Sequence, residues 1–265
     1  MNKTQLTNQN YLINSQYKDA SNLDARVRLH KHFSTNKYDW PLWVFDQINP
    51  PTGSNILEIG CGPAHLWHNN LDRLAEDWTI TLSDFSPGML DAARENLSQH
   101  QHKFRFERVD AQAIPFSDHD FDVVIANHML YHIPDRPKAF AEIRRVLKRG
   151  GRFFAATNGT THLQELHQLL NEFDADISQT STFWAIAFGL ENGQDQMAPW
   201  FDHITLHHYP DALVVTQPEP LVEYYLSAFE SLRTKQAALR TFIKQKLKDE
   251  GAIHITKSSG LFAAW

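Results

Sequence analysis

The segment Leu57-Glu58-Ile59-Gly60-Cys61-Gly62-Pro63-Ala64 sets a carboxylate and two glycines into one short run. Gly60 and Gly62 let a ligand approach the backbone closely, because no Cβ stands in the way. Three readings of the run compete. A dinucleotide fingerprint asks for a third glycine at its sixth position, so that a pyrophosphate can rest on a helix N-terminus. His65 stands there, and Glu58 would repel the phosphates. A ligand with an ammonium and a sulfonium and no phosphate, such as S-adenosylmethionine, suits Glu58 instead. The third reading is a turn that merely packs a helix on a strand.

Further polar groups recur downstream. Asp84, in Ser83-Asp84-Phe85, follows Gly62 by 22 residues, and a carboxylate there can accept both hydroxyls of a ribose. Asp110, in Val109-Asp110-Ala111, can accept the exocyclic amine of an adenine, while Ala111 leaves room for the ring. Ala126-Asn127-His128 adds an amide and an imidazole. Each aspartate alone reads as readily as a turn or cap residue; their shared register is the stronger signal. His128 is the candidate catalytic base, since imidazole titrates near neutral pH, and it reads equally as a lining residue. The 15 histidines show no metal-ligand spacing, so no metal is expected.

These groups fall at the ends of predicted strands. Asn55–Ile59, Thr79–Ser83, Phe104–Val109, Phe121–Ala126 and Arg152–Thr157 read as strands. The fourth is nearly all apolar, as a strand covered on both faces should be. Ala64–Glu76, Ser86–Gln99 and Pro137–Leu147 read as helices, with Ser86 as an N-cap and Pro87 at the first helical position. The alternation predicts an α/β fold with a doubly wound, mostly parallel sheet. Beyond Thr157 helices are expected over Leu163–Phe173, Gln194–Phe201, Leu221–Phe229 and Leu232–Lys248. A strand is expected at Ile204–Tyr209, and a closing hairpin from Ile253–Thr256 and Leu261–Trp265.

The 265 residues, 42% hydrophobic, suffice for one large domain with an appendage. No run of 18 apolar residues is present, and the polar Met1–Asn10 lacks the core of a secretory signal. The single cysteine, Cys61, excludes an intramolecular disulfide framework and a cysteine-rich zinc site. A cytoplasmic protein with no membrane association is the expectation. With 31 acidic against 25 basic residues the charge is -6, and the basic residues are scattered, which argues against nucleic acid as a partner.

Taken in order, Ile56-Leu57-Glu58-Ile59-Gly60-Cys61-Gly62-Pro63, the acidic end of strand two, Val109-Asp110-Ala111-Gln112-Ala113-Ile114-Pro115-Phe116 and Phe121-Asp122-Val123-Val124 resemble the motifs of class I S-adenosylmethionine-dependent methyltransferases. Leu147-Lys148-Arg149-Gly150-Gly151-Arg152 resembles that family's turn into strand five. The resemblance spans about residues 54 to 158 and, more loosely, the final hairpin. It implies a Rossmann-like seven-stranded sheet. The expected division is a helical N-terminal lid over 1–50, a cofactor-binding core over 51–175, the end of the core with an inserted helical cap over 176–250, and a strand hairpin over 251–265 that completes the sheet.

The activity so implied is methyl transfer to oxygen, nitrogen or carbon of a small-molecule acceptor, by a monomer or homodimer. S-adenosyl-L-methionine is the cofactor and S-adenosyl-L-homocysteine the product. A methyltransferase acting on nucleic acid or protein, or a non-catalytic S-adenosylmethionine-binding module, is the alternative. Glu58, Gly60 and Gly62 would face the methionine moiety, with Cys61 a small residue in the turn. Asp84 would bind the ribose, Phe85 and Met89 flank the adenine, Asp110 and Ala111 edge it, and Asn127 sit beside the sulfonium. Tyr17 and Arg26 would cover or anchor the methionine end. Tyr11, His128, Tyr131, His132 and Trp184 are the expected acceptor-side residues. One departure is Ala64, where many relatives carry a third glycine; alanine is small enough that binding should survive.

Overall fold

The computed structural model describes residues 3–178 and 183–265. Nine strands form in chain order: β1 (Asn55–Ile59), β2 (Thr79–Asp84), β3 (Phe104–Arg108), β4 (Phe121–Asn127), β5 (Leu147–Asn158), β6 (Ile204–Tyr209), β7 (Ala212–Val215), β8 (Ile253–Thr256) and β9 (Ser259–Ala264). Seven of them make one sheet in the order β3-β2-β1-β4-β5-β9-β6. The first five are mutually parallel, and β9 runs antiparallel between β5 and β6. The order reverses between β1 and β4, the place where an open α/β sheet offers a crevice at its strand carboxyl ends.

The larger helices are α1 (Ser21–Phe33), α2 (Trp40–Ile48), α3 (Pro87–Asn96), α4 (Arg136–Val146), α5 (Gln164–Phe173), α6 (Pro218–Ala228) and α7 (Gln236–Glu250). Leu57, Val124 and Phe153 face one core layer with Phe140 and Ile143 of α4. Ile56, Val123 and Phe154 face the opposite layer with Val44 and Ile48 of α2 and Leu90 of α3. The alternation along each strand thus feeds two cores, which is why these strands are apolar throughout. Asp135 caps α4, its carboxylate accepting the Lys138 amide at 3.1 Å.

Three local expectations change. The helix expected over Ala64–Glu76 is a single turn, His65–His68, followed by a 3-10 turn at Leu71–Arg73. The side-chain amides of Asn69 and Asn70 donate to the carbonyls of His65 and Leu66, at 2.7 Å each, and compete for the bonds a longer helix would use. Ser86 stands at the N-cap of α3 but makes no cap bond; its hydroxyl donates to the Tyr17 carbonyl at 2.7 Å. The closing hairpin is also absent: β8 pairs with β7 in a separate two-stranded ribbon, and only β9 joins the main sheet. Residues 210–258, between β6 and β9, therefore carry that ribbon with α6 and α7. These elements share a third core with α1 and α5, in which Leu29, Leu166, Leu221, Tyr225 and Leu239 are fully or almost fully buried.

Candidate active site

A cavity of about 780 Å³ lies over the carboxyl ends of β1, β2 and β4, roofed by the N-terminal segment, α1 and α6. Glu58, last but one in β1, is 2% exposed. Trp67 Nε1 donates to its Oε2 at 2.6 Å and Asn127 Nδ2 to its Oε1 at 3.0 Å. Burial nevertheless pushes the Glu58 carboxyl up to about 7, against the pull of these two donors. With its amide nitrogen committed to Glu58, Asn127 turns Oδ1 elsewhere, and that oxygen is buried without a partner.

Asp84 ends β2 and is pinned by backbone donors on both oxygens: Gly62 N–H on Oδ2 at 3.0 Å and Ser86 N–H on Oδ1 at 2.8 Å. Burial raises its pKa above the ordinary carboxylate value. Gly62 adopts φ +53, and Ala64 follows at φ +60 in the same left-handed region. A residue with a Cβ costs roughly 1–2 kcal/mol there, a strain that Ala64 bears and Gly62 does not. At Gly60 the missing side chain serves the protein itself, since a Cβ would come within 2.8 Å of Met129 Cβ. Cys61 is buried, its thiol pushed well up by that burial, and it acts as a small turn residue.

Asp110 accepts from the Gln112 amide at 2.9 Å and from Gln9 Nε2 at 3.3 Å, so the N-terminal segment reaches the place expected for an adenine edge. Phe85 borders the same region under the Arg108 guanidinium, 5.3 Å from the ring centroid. The segment is also clasped to the sheet edge by a relay. Tyr17 Oη lies 2.9 Å from His132 Nε2, and His132 Nδ1 lies 2.8 Å from the Leu6 carbonyl. A carbonyl only accepts, so Nδ1 carries the proton and Tyr17 donates to Nε2. Burial holds His132 down to about 4, which keeps this arrangement neutral. Arg26 borders the cavity from α1, but its Nε and Nη2 donate to Ser227 Oγ and the Ser227 carbonyl at 3.3 and 3.0 Å.

Glu58, Gly60, Cys61, Gly62, Asp84, Phe85, Met89, Asp110, Ala111, Asn127, Tyr17, Arg26, His128, Tyr131 and His132 all line this one cavity. Tyr11 does not; the short helix Gln9–Tyr11 turns Gln9 to the cavity instead. The Trp184 side chain lies outside the described residues. Phe188, four residues on, packs between Phe140 and Phe262, 6.1 Å from each ring, and so belongs to the sheet core. His128, at φ +52 behind Trp40, is held neutral down to about 4, first by burial and then by the Lys257 charge. Its driving force as a base is correspondingly small. Trp67 and Gln9 were invisible as site residues in sequence; Trp67 carried only a nine-residue separation from Glu58. No group of three or more His, Cys, Asp or Glu among the described residues could hold a metal.

A family model described as a methyltransferase domain matches residues 57–155. A demethylmenaquinone methyltransferase of Staphylococcus saprophyticus is 32% identical over 159 residues, 50% of this chain and 63% of that protein. A ubiquinone/menaquinone biosynthesis C-methyltransferase of Hahella chejuensis is 29% identical over 115 residues, 43% of this chain and 46% of that protein. The chain thus spans between about half and two thirds of the curated relatives it matches. In three dimensions it is similar to phosphoethanolamine N-methyltransferase 2 of Haemonchus contortus, at TM-score 0.60 and 20% identity over 97% of this chain and 59% of the other. It is also similar to YcgJ of Bacillus subtilis, at TM-score 0.57 and 16% identity over 84% and 96% of the two chains. The match over 57–155 is thus to a methyltransferase domain, and it falls on β1 to β5 of the main sheet, whose order is completed by the antiparallel β9.

Proposed function

We propose that the chain binds S-adenosylmethionine at the carboxyl edge of β1, β2 and β4 and transfers its methyl group to a small-molecule acceptor held in the same cavity. The observation that carries this reading is the set of acceptor groups at one edge: Glu58, Asp84 and Asp110 beside a glycine turn. Three carboxylates repel a pyrophosphate and attract an ammonium, a sulfonium and ribose hydroxyls. The buried, unpartnered Asn127 Oδ1 fits the same ligand, because a cationic donor beside it would supply the missing bond.

S-adenosylmethionine supplies a methyl group already activated by positive sulfur. The protein's part is to place donor and acceptor in line and exclude water. Asp84, fixed by the Gly62 and Ser86 amides, keeps a lone pair on each oxygen for a ribose diol. Glu58 and Asn127 hold the ammonium end, and Tyr17 and His132 keep the N-terminal segment over the site. Asp110, Phe85 and Met89 enclose the base.

Transfer of a tritiated methyl group from S-adenosylmethionine to a panel of phenols, amines, quinols and acids tests the reading. Asp84→Ala should lose a charge-assisted bond pair and bind the cofactor at least about tenfold more weakly. Retention of full affinity in that variant would contradict the placement of the ribose.

A further inference from the structure

Leu23, Arg26 and His30 stand at i, i+3 and i+7 on α1 and all line the cavity. Leu23 sits over Gly62, where an added Cβ would lie 3.6 Å from its Cδ2, so the row runs from the glycine turn to the far end. There the His30 and His162 rings stack with centroids 6.1 Å apart. His30 Nδ1 is shut off from solvent and makes no hydrogen bond. The Ser258 amide donates to His162 Nδ1 at 3.2 Å, which leaves the proton of the neutral ring on Nε2. Lys257 pairs with Asp211 and lies 5.4 Å from the Tyr209 centroid. The Asp211 carboxylate is already engaged by Ser34, Thr35, the backbone amides of Asn36 and Ala212, and Lys257. Glu58, Asp84 and Asp110 thus stand at one end of the cavity, and His30, His128 and His162 at the other, where Lys257 is paired with Asp211 and Asp39 reaches the rim.

We infer that His30, His128 and His162, backed by Lys257, form a subsite for an acidic group, carboxylate or phosphate, on the methyl acceptor. That this molecule accepts a methyl group rests on the proposed function; that the cluster binds an anion does not. In the ligand-free cavity the imidazoles are neutral. Burial, and then the Lys257 charge, hold His30 down to about 3 and His128 to about 4. The other groups facing them are Asp211, His167 and, at the exposed rim, Asp39. An anion entering the cluster favours imidazolium, so its binding takes up a proton and strengthens as pH falls. An uncharged acceptor takes up none.

Titration calorimetry on the full chain, with and without S-adenosylhomocysteine, tests this. The probes are inorganic phosphate, benzoate and uncharged benzyl alcohol, each in buffers of differing ionisation enthalpy. Expected is saturable binding of an anion with proton uptake, and weaker or no binding of the alcohol. His30→Phe should weaken the anion about tenfold more than it weakens S-adenosylhomocysteine, the worth of a charge-assisted bond. Preference for phosphate would indicate a phosphorylated acceptor, and preference for benzoate a carboxylate. If His30→Phe does not fold, His162→Asn and proton uptake by the unaltered chain still decide. Equal binding of benzyl alcohol, anion binding without proton uptake, or no anion binding overturns the inference. Absence of S-adenosylhomocysteine binding alone counts against the proposed function, and the anion titration stays readable.

Discussion

Glu58 is where a single residue's chemistry is most exposed to test. Its carboxyl is raised to about 7 by burial although Trp67 and Asn127 both donate to it. A ligand ammonium favours the charged form, so binding should release a proton wherever the empty site holds Glu58 protonated. The affinity for S-adenosylhomocysteine should therefore rise with pH up to about 7 and level off above it, with a limiting slope of about tenfold per pH unit. Glu58→Gln should bind more weakly and flatten the profile, as calorimetry over that range would report. Trp67→Phe removes one donor from a buried carboxylate, which costs about 1–3 kcal/mol. It should also move the bend in the profile to higher pH. Glu58 was legible in sequence because an acid beside a glycine turn is uncommon chemistry; Trp67 was not, because an indole beside an apolar run looks like core.

At the scale of elements, the N-terminal segment depends on one glycine. A Cβ on Gly88, at the start of α3, would stand 1.9 Å from the Lys18 carbonyl oxygen. The adjoining Ser86–Tyr17 and Tyr17–His132 bonds hold the same loop down. Gly88→Ala should push the segment off, so amide exchange over residues 4–20 should accelerate while that of β1 and β4 stays slow. The segment's partners lie 69 and 115 residues away from Tyr17, beyond anything a local pattern reports. The strands and helices of the core were legible because each carries its own period and its own turn signals. The helix expected after the glycine turn was not, because Asn69 and Asn70 look like ordinary helix-surface residues until their amides are seen on the backbone.

For the whole molecule, the buried histidines set an acid limit on stability. His30 is held down to about 3, and His128 and His132 to about 4, burial being the first cause of each. The folded values lie below the ordinary 6.5, so the unfolded chain takes up protons first as pH falls. Stability should drop between about pH 6.5 and 4, by several kcal/mol in sum. Glu58 works in the opposite sense between about 7 and its ordinary 4.5, and offsets part of the loss. Urea unfolding midpoints should thus be lower at about pH 5 than at pH 7, and equal midpoints would contradict burial of the cluster. The third core was the least legible part of the fold, since it joins Leu29 of α1 to Leu221 of α6 and Ile255 of β8. The apolar alternation of β8 is as compatible with a hairpin to β9 as with the ribbon it forms with β7; only the packed molecule distinguishes them.

The most direct test of the account is calorimetric titration of the purified chain with S-adenosylhomocysteine and, separately, with NADH. The carboxylates of β1 and β2 predict saturable micromolar binding of the first ligand and none of the second. Binding of NADH instead, or of neither ligand to folded and ligand-free protein, would contradict the cofactor assignment on which the functional reading stands.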